Sequence, residues 1–420
     1  MLDRTVPPPS QSVTDITFPW PQSIQLPAGI PLFVLNSGSQ PITKLELLFA
    51  SGTWYEPQHG VAYFTAKMLQ EGTQKKTSQE IAACLDYYGA ELTIEVKPDY
   101  CSLALVTLSK YLSPVLALLA ELLSEPTFPP GQLQLLKNLK TQAIKIEDAK
   151  PRHVARKQFK LAILGQEHPY GQNLTAEDIA LIAPEHLQQY YQGRLLADCQ
   201  VLVSGSVSDQ DIQRIQSHLQ HLPWQQPAAI AHPWAEATST KVKIPRANSL
   251  QSTIHIGKVL FPKDHPDYLP VRFVCDLLGG YFGSRLMRNI REEKGYTYGI
   301  HAGIVSLKHT SYFLIDTEVI QNFAEQACQE IYREINTLQT HKATQEELHQ
   351  LRSYLLGDFL VSVNDPFSIM DRFKEAHLHG LDQNFYQRFY DTLYHISPQR
   401  IQELANQYLS LDSLTEVCVG

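Results

Sequence analysis

The sequence lacks any apolar stretch of the roughly 18 to 20 residues that a membrane-spanning helix requires. It also lacks a basic run, and its formal net charge is -8. Because nucleic-acid binding depends on clustered Lys and Arg, we expect no nucleic-acid partner. The first residues, Met1 to Arg4 and then Pro7–Pro9, have neither the basic nor the apolar region of a signal peptide. We therefore expect a cytoplasmic protein without a membrane span.

Cysteine is scarce, with six residues in a chain of 420 and no Cys-x-x-Cys pair. Such scattered cysteines are typical of free, mostly buried thiols in a reducing compartment. They lack the spacing of a structural zinc site, so we expect none to be built from them.

Hydrophobic residues make up 43% of the chain, and its length predicts two or three domains. The order of elements in the first half recurs in the second at an offset near 210 residues. Predicted strand 252–259 corresponds to 44–49, and predicted helix 271–278 corresponds to 61–69. We predict an α+β protein of two similar domains, each a mostly antiparallel sheet with helices packed on one face. Their predicted limits are 1–222 and 241–420, joined by a linker over 223–240.

The segment from Leu277 to Gly303 predicts a sharp helix-to-strand corner. An apolar helix meets Gly279 and Gly280, a second short helix begins at Ser284 as its N-cap, and Gly295 ends that helix. Alternating apolar residues after Gly295 predict a strand.

Arg291 and Tyr298 lie seven residues apart on the two sides of this corner. A guanidinium and a phenol that converge there could donate hydrogen bonds to a carbonyl oxygen gaining negative charge. Taken alone, such a pair is more often a surface arginine and a half-buried tyrosine at a domain interior.

This corner closely resembles the second-domain signature of the pitrilysin and insulinase group of inverted-zinc-motif peptidases, which includes mitochondrial processing peptidase. The resemblance extends over nearly the whole chain, since first-domain segments also have counterparts in the family. These segments are Gln25–Ile30, Ser51–Pro57, Gly60–Phe64, Pro126–Pro129 and His168–Gly171. It implies that Arg291 and Tyr298 hold the scissile carbonyl of a peptide, and that the two domains face each other as a half shell.

Active members of that family carry His-x-x-Glu-His on the helix after the loop equivalent to 52–60. In this sequence, Tyr63 and Lys67 stand at the two ligand positions and Ala66 at the general base. The family's third ligand falls at Gln142 or Ala143. Lysine would repel a dication and alanine cannot activate water, so we expect no metal and no cofactor on this chain. Tyr63 is expected to pack in the core.

In the family's two-chain bacterial members, one subunit carries the zinc motif and the other carries the Arg and Tyr pair. The resemblance therefore implies a zinc-lacking subunit that is inactive alone and pairs with a homologous, zinc-bearing partner. Its substrates would be extended peptides, bound partly by strand addition to a sheet edge.

Other functions also fit the resemblance. The family includes structural core subunits of respiratory complexes and a glycine-rich-loop subunit of the mitochondrial enzyme. The segment 279–283 is too short for that glycine-rich loop. An inert scaffold and a homodimeric peptide-binding chamber remain as alternatives.

Overall fold

A computed structural model of the chain describes residue 5 and the ranges 17–26, 29–232, 239–247 and 249–420. The N-terminal residues on which the signal-peptide argument depends lie outside these ranges, as does 233–238 of the predicted linker. The described residues form two sheets with helices packed on them. The predicted α+β class is confirmed.

The first sheet has six strands in the order β1-β2-β6-β3-β5-β4. They are β1 (Gln22–Gln25), β2 (Pro31–Asn36), β3 (Ile42–Phe49), β4 (Glu91–Val96), β5 (Cys101–Leu108) and β6 (Gln200–Gly205). Strands β2 and β6 run parallel, and the other described pairs are antiparallel.

The second sheet has five strands in the order β7-β11-β8-β10-β9. They are β7 (Lys241–Ile244), β8 (Gln251–Leu260), β9 (Thr297–Ser306), β10 (Ser311–Ile320) and β11 (Thr415–Val419). Strands β7 and β11 are parallel, and the other described pairs are antiparallel. The domain limits themselves stay a prediction.

The longer helices follow the predicted order. Those of the first half are α1 (Val61–Met68), α2 (Ser78–Tyr88), α3 (Leu112–Ser124), α4 (Pro130–Asp148), α5 (Pro151–Leu164), α6 (Ala176–Leu181), α7 (Pro184–Tyr190) and α8 (Asp209–Leu219). Those of the second half are α9 (Tyr268–Cys275), α10 (Ala324–Thr340), α11 (Gln345–Val361), α12 (Pro366–Leu378), α13 (Phe385–His395) and α14 (Pro398–Tyr408).

The apolar pattern of residues 179–191 predicts one continuous helix, and this prediction is wrong. Helix α6 ends at Leu181, and α7 begins at Pro184. Proline disfavours a helical conformation in the residue before it, and Ala183 is extended, with φ -127° and ψ 158°. Pro184, which is visible in the sequence, therefore explains the break between α6 and α7.

Each sheet buries one face against helices of its own half. In the first half, Leu45 and Leu47 of β3 pack with Phe64 of α1, and all three are fully buried. In the second half, Ile254 of β8 and Phe273 of α9 are likewise fully buried. These are the helix-covered faces that the alternating apolar pattern predicts.

The opposite faces are covered by helices exchanged between the halves. Helix α12 of the second half lies on the first sheet, where Phe373 packs 4.9 Å from the ring of Phe33 and 4.9 Å from that of Trp20. Helix α5 of the first half lies on the second sheet, where Phe159 packs in one cluster with Val417 of β11. The two halves are therefore fixed to each other by reciprocal apolar contacts.

We predict that Phe373→Ala lowers the free energy of unfolding by about 3–5 kcal/mol, because it leaves a cavity where a fully buried ring was packed. Tyr87→Ala is the matched control, since Tyr87 is an aromatic residue that is 80% exposed. Urea denaturation of both variants measures the difference. Equal, small losses would show that α12 contributes little to the packing of the first sheet.

Candidate functional site

The corner predicted around Gly279 begins with a π-helical turn. Helix α9 continues as this turn over Asp276–Gly280, and Gly279 leaves the helical conformation with φ -158° and ψ 16°. A Cβ atom on Gly279 would lie 2.6 Å from Cβ of Ala302 and 2.7 Å from its backbone nitrogen. Glycine is therefore required because the turn lies directly against strand β9.

The short helix that carries Arg291 begins just after Ser284 and includes a second π-helical segment, Met287–Glu293. It ends at Gly295 as predicted, with φ +66° at that residue. The predicted side-chain cap is wrong: the Ser284 hydroxyl has no hydrogen-bond partner among the described residues, although its carbonyl accepts from Arg288 N at 3.0 Å. π-helical segments are rare, and many occur at functional sites.

Polar contacts to α10 and α11 fix this short helix in place. Arg285 donates from Nε to Glu347 at 2.8 Å and from a terminal nitrogen to the same carboxylate at 3.1 Å. Asn289 donates to Glu330 at 3.0 Å and to Glu334 at 2.7 Å. These hydrogen bonds hold the next turn, which carries Arg291, in one orientation.

Strand β9 presents Tyr298 to solvent. Its register with β10 shifts between Thr317 and Val319, and bulges of this kind re-aim side chains. The Thr317 hydroxyl donates to the Gly299 carbonyl at 2.9 Å, and the Thr297 hydroxyl donates to the Glu318 carbonyl at 2.6 Å, which fixes the backbone on both sides of Tyr298. Tyr298 is 89% exposed, so it is not a half-buried packing residue.

Tyr298 lines a cleft, which we call the Tyr298 cleft, and Arg291 adjoins it through its contact with Phe282. The Arg291 guanidinium lies 4.8 Å from the ring centroid of Phe282, and Phe282 lines the cleft together with Tyr298. The cleft has a volume of about 480 Å³. Phe282 is 58% exposed and was missed by sequence reasoning, although an aromatic residue between Gly280 and Gly283 was a visible signal.

A partly buried charge cluster also borders the Tyr298 cleft. Arg152 of α5 donates to Asp316 at 2.7 Å, and the His255 Nε2 atom lies 3.1 Å from the same carboxylate. Burial alone would raise the pKa of Asp316, but hydrogen bonding to His255 and the contact with Arg152 lower it to about 2. Arg152 thus brings the first half of the chain into a cleft of the second.

The degenerate zinc-motif positions lie on α1. Tyr63 and Lys67 share the less buried face of this helix, Gln70 lies in the turn just after it, and Ala66 is fully buried. Tyr63 is not wholly in the core: it packs at the core's margin, with its ring 4.8 Å from Lys140 Nζ. Phe64 is fully buried.

Lys67 and Gln70 are hydrogen-bonded to the edge strand β4. Lys67 Nζ donates to the Ile94 carbonyl at 2.6 Å, and Gln70 donates to the Leu92 carbonyl at 3.0 Å. At the end of the β4–β5 hairpin, Lys97 N donates to the Tyr100 carbonyl, so the backbone groups of Lys97 face β5. Because the backbone groups of successive strand residues point to opposite sides, the carbonyls of Leu92 and Ile94 point away from β5, to the outer side of β4. Both acceptors are therefore already used by side chains of the motif helix.

These residues do not fit zinc. An ammonium bound to a backbone carbonyl stands at one ligand position, a phenol at the other and a methyl group at the base. Within the described ranges, no three His, Cys, Asp or Glu residues lie close enough to hold a metal ion.

No helix in the described part of the chain is both long and apolar enough to cross a membrane.

The two-sheet fold, the Arg and Tyr corner and the altered motif helix define a peptidase-like two-domain protein of the inverted-zinc-motif class. Family comparison agrees: residues 32–176 match "Insulinase (Peptidase family M16)", and residues 182–355 match "Peptidase M16 inactive domain". The chain belongs to the M16 peptidase family, as the resemblance implied.

Two relatives are distant in sequence but similar over more than nine tenths of their length. A protein of Bacillus subtilis named "Uncharacterized zinc protease YmxG" is 22% identical over 398 residues, or 91% of this chain and 94% of the relative. A Helicobacter pylori protein named "Non-peptidase homolog YmxG" is 23% identical over 402 residues, or 94% of this chain and 92% of the relative.

The solved structures show the same fold. The crystal structure of a peptidase M16 inactive domain from Pseudomonas fluorescens superposes with a TM-score of 0.87 at 24% identity, covering 95% of this chain and 98% of that one. That of a Helicobacter pylori protease gives a TM-score of 0.85 at 17% identity, covering 95% and 99%.

We predict that Asp316→Asn lowers the free energy of unfolding at pH 7 by about 1–3 kcal/mol, because the charged hydrogen bonds to Arg152 and His255 are weakened. The Asp316 pKa lies below its unfolded value of about 3.9, so its contribution is present above that pH and is lost as the pH falls through about 2. The difference from wild type should therefore shrink between pH 4 and pH 2.

Denaturant unfolding of both proteins at several pH values measures this difference. Asp412→Asn is the control, since Asp412 is exposed and its carboxylate has no ion-pair partner among the described residues. A difference that stays constant down to pH 2 would contradict the assigned role of the Asp316 charge.

Proposed function

We propose that this chain is the zinc-lacking subunit of a heterodimeric M16 metallopeptidase. In this proposal, Arg291 and Tyr298 bind the substrate and stabilise the oxyanion at the zinc site of a homologous partner. The observation that supports the proposal is the corner that carries both residues, where Arg291 contacts Phe282 and Phe282 lines the same cleft as Tyr298, on a chain whose own motif helix does not fit a metal.

The arrangement suits a peptide carbonyl. Arg291 carries a planar fork of donors and is steadied by the ring of Phe282, while Tyr298 offers one more donor from the adjacent strand. Donors held in advance by the contacts of Arg285 and Asn289 need little reorganisation when negative charge develops on a carbonyl oxygen. The partner's zinc would supply the activated water, and this chain would orient and grip the peptide.

The first-half motif helix supports a division of labour between two chains. Strand addition to β4 needs its outward carbonyls, but Lys67 and Gln70 occupy those of Ile94 and Leu92. A peptide would have to displace both side chains to extend the sheet there. Productive binding beside the partner's metal site, with this chain supplying only the donors, avoids that cost.

An inert scaffold or peptide-binding subunit is the second candidate. It is favoured by the match of residues 182–355 to an inactive domain and by the name of the Helicobacter pylori relative, a non-peptidase homologue. A scaffold would associate with its partner but would not need Arg291 or Tyr298 for turnover.

A mixing experiment tests the proposal. The purified chain and a homologous subunit with an intact His-x-x-Glu-His motif are assayed separately and together on an extended fluorogenic peptide. We expect chelator-sensitive cleavage, with Arg291→Ala and Tyr298→Phe each lowering kcat by about 10²–10³ fold, the cost of losing one oxyanion donor.

Arg288→Ala is the matched control, because Arg288 lies one turn from Arg291 and donates to the carbonyl of Gly283 at 3.3 Å. It should leave kcat unchanged. Native mass measurement of each mixture confirms that the complex forms. A complex whose turnover is the same in all three variants would support the scaffold and contradict the donor role.

A further inference from the structure

A second cavity lies where an active relative would carry its metal. It is bounded by α1, α4, α5 and the end of the β4–β5 hairpin, and its volume is about 300 Å³. We call it the Lys160 cavity. Side chains that line it include Tyr63, Lys97, Lys140, Glu147, Lys157 and Lys160.

Two of these lysines are already neutralised. Lys157 is hydrogen-bonded to Asp148, and Lys97 lies 3.1 Å from Glu95. In contrast, neither Lys140 nor Lys160 has an ion-pair or hydrogen-bond partner in the described ranges, although Lys140 rests on the Tyr63 ring.

In the described ranges, the acids that line the cavity make no ion pair with Lys140 or Lys160. Glu147 lies 3.7 Å from His153. Burial raises the pKa of Glu56 to about 7, although Gly60 N donates to its carboxylate at 3.1 Å and Ala62 N at 3.2 Å. Near neutral pH this carboxyl therefore carries only part of a negative charge, and that part is satisfied by the start of α1.

A bound anion would stabilise Lys160 more than Lys140. Burial, with Arg156 nearby, lowers its pKa from the ordinary lysine value. An ammonium that is taken from water without an anion beside it is destabilised, and a bound anion would remove that cost. Tyr63 adds a donor, because its half-buried hydroxyl makes no hydrogen bond to any described residue.

We propose that the Lys160 cavity binds an oxyanion, a carboxylate or a phosphate, held by Lys140, Lys160 and the Tyr63 hydroxyl. Where an active relative would hold a metal dication, this cavity carries the ammonium groups of two lysines, and a ligand of negative charge suits it. Two sources share this chemistry: the C-terminal carboxylate of a peptide and free phosphate. The inference does not depend on Arg291, Tyr298 or a partner subunit.

Calorimetric titration of the full chain tests the proposal. The probes are inorganic phosphate, acetyl-triglycine with a free carboxylate, and its carboxamide. At low salt we expect at least one anionic probe to bind, and Lys160→Gln and Lys140→Gln each to weaken that binding at least tenfold. Tyr63→Phe should weaken it less, since it removes one neutral donor.

Lys145→Gln is the matched control, because Lys145 is an exposed lysine of α4 that does not line the cavity. It should bind like wild type. Thermal unfolding shows that each variant is folded, and Lys160→Gln should be at least as stable as wild type because an unpaired buried charge is removed.

The probes also separate the two sources. Binding of the free carboxylate but not the carboxamide identifies a peptide terminus, whereas binding of phosphate alone identifies a phosphate site. The proposal is overturned if no anion binds to wild type at millimolar concentration, or if Lys145→Gln weakens binding as much as Lys160→Gln does.

Discussion

The packing of helix α5 on the second sheet is the contact on which both candidate sites depend. Phe159 anchors this helix among residues of β11, and its fully buried ring leaves little freedom of position. The same helix then sends Arg152 to Asp316 in the Tyr298 cleft and Lys160 into the cavity beside the altered motif. One apolar contact between the halves therefore positions a charged side chain at each site.

The altered motif changes both the chemistry and the mechanics of the first half. Lys67 takes up an outward carbonyl of β4, so a position that binds metal in active relatives here ties the helix to the sheet edge. Tyr63 and the unpaired lysines Lys140 and Lys160 leave a cavity suited to negative charge. The second half keeps its donors on a corner that α10 and α11 hold in place. The sites proposed for the two halves thus differ in chemistry although the halves share one fold.

Much of this architecture could be predicted from local patterns. Gly295 marks the end of the short helix because its own backbone conformation decides it, and alternating apolar residues predict the strands. Gly279 was also visible as a breaker, but the reason it must be glycine, close contact with Ala302 of β9, was not. Pro184 also carried a local signal, and it was overlooked. Arg152 could not be assigned to the cleft, because its partner Asp316 lies 164 residues away and their contact depends on how the halves dock. The bonds of Lys67 and Gln70 to β4 likewise depend on register, which periodicity does not reveal.

We propose that the Tyr298 cleft of this chain completes a site whose metal belongs to another subunit. A structure of the complex with its zinc-bearing homologue and an uncleaved extended peptide tests it most directly. The account predicts a peptide carbonyl oxygen about 3 Å from both the Arg291 guanidinium and the Tyr298 hydroxyl, next to the partner's metal. A complex in which that cleft faces bulk solvent, away from the peptide, would contradict it.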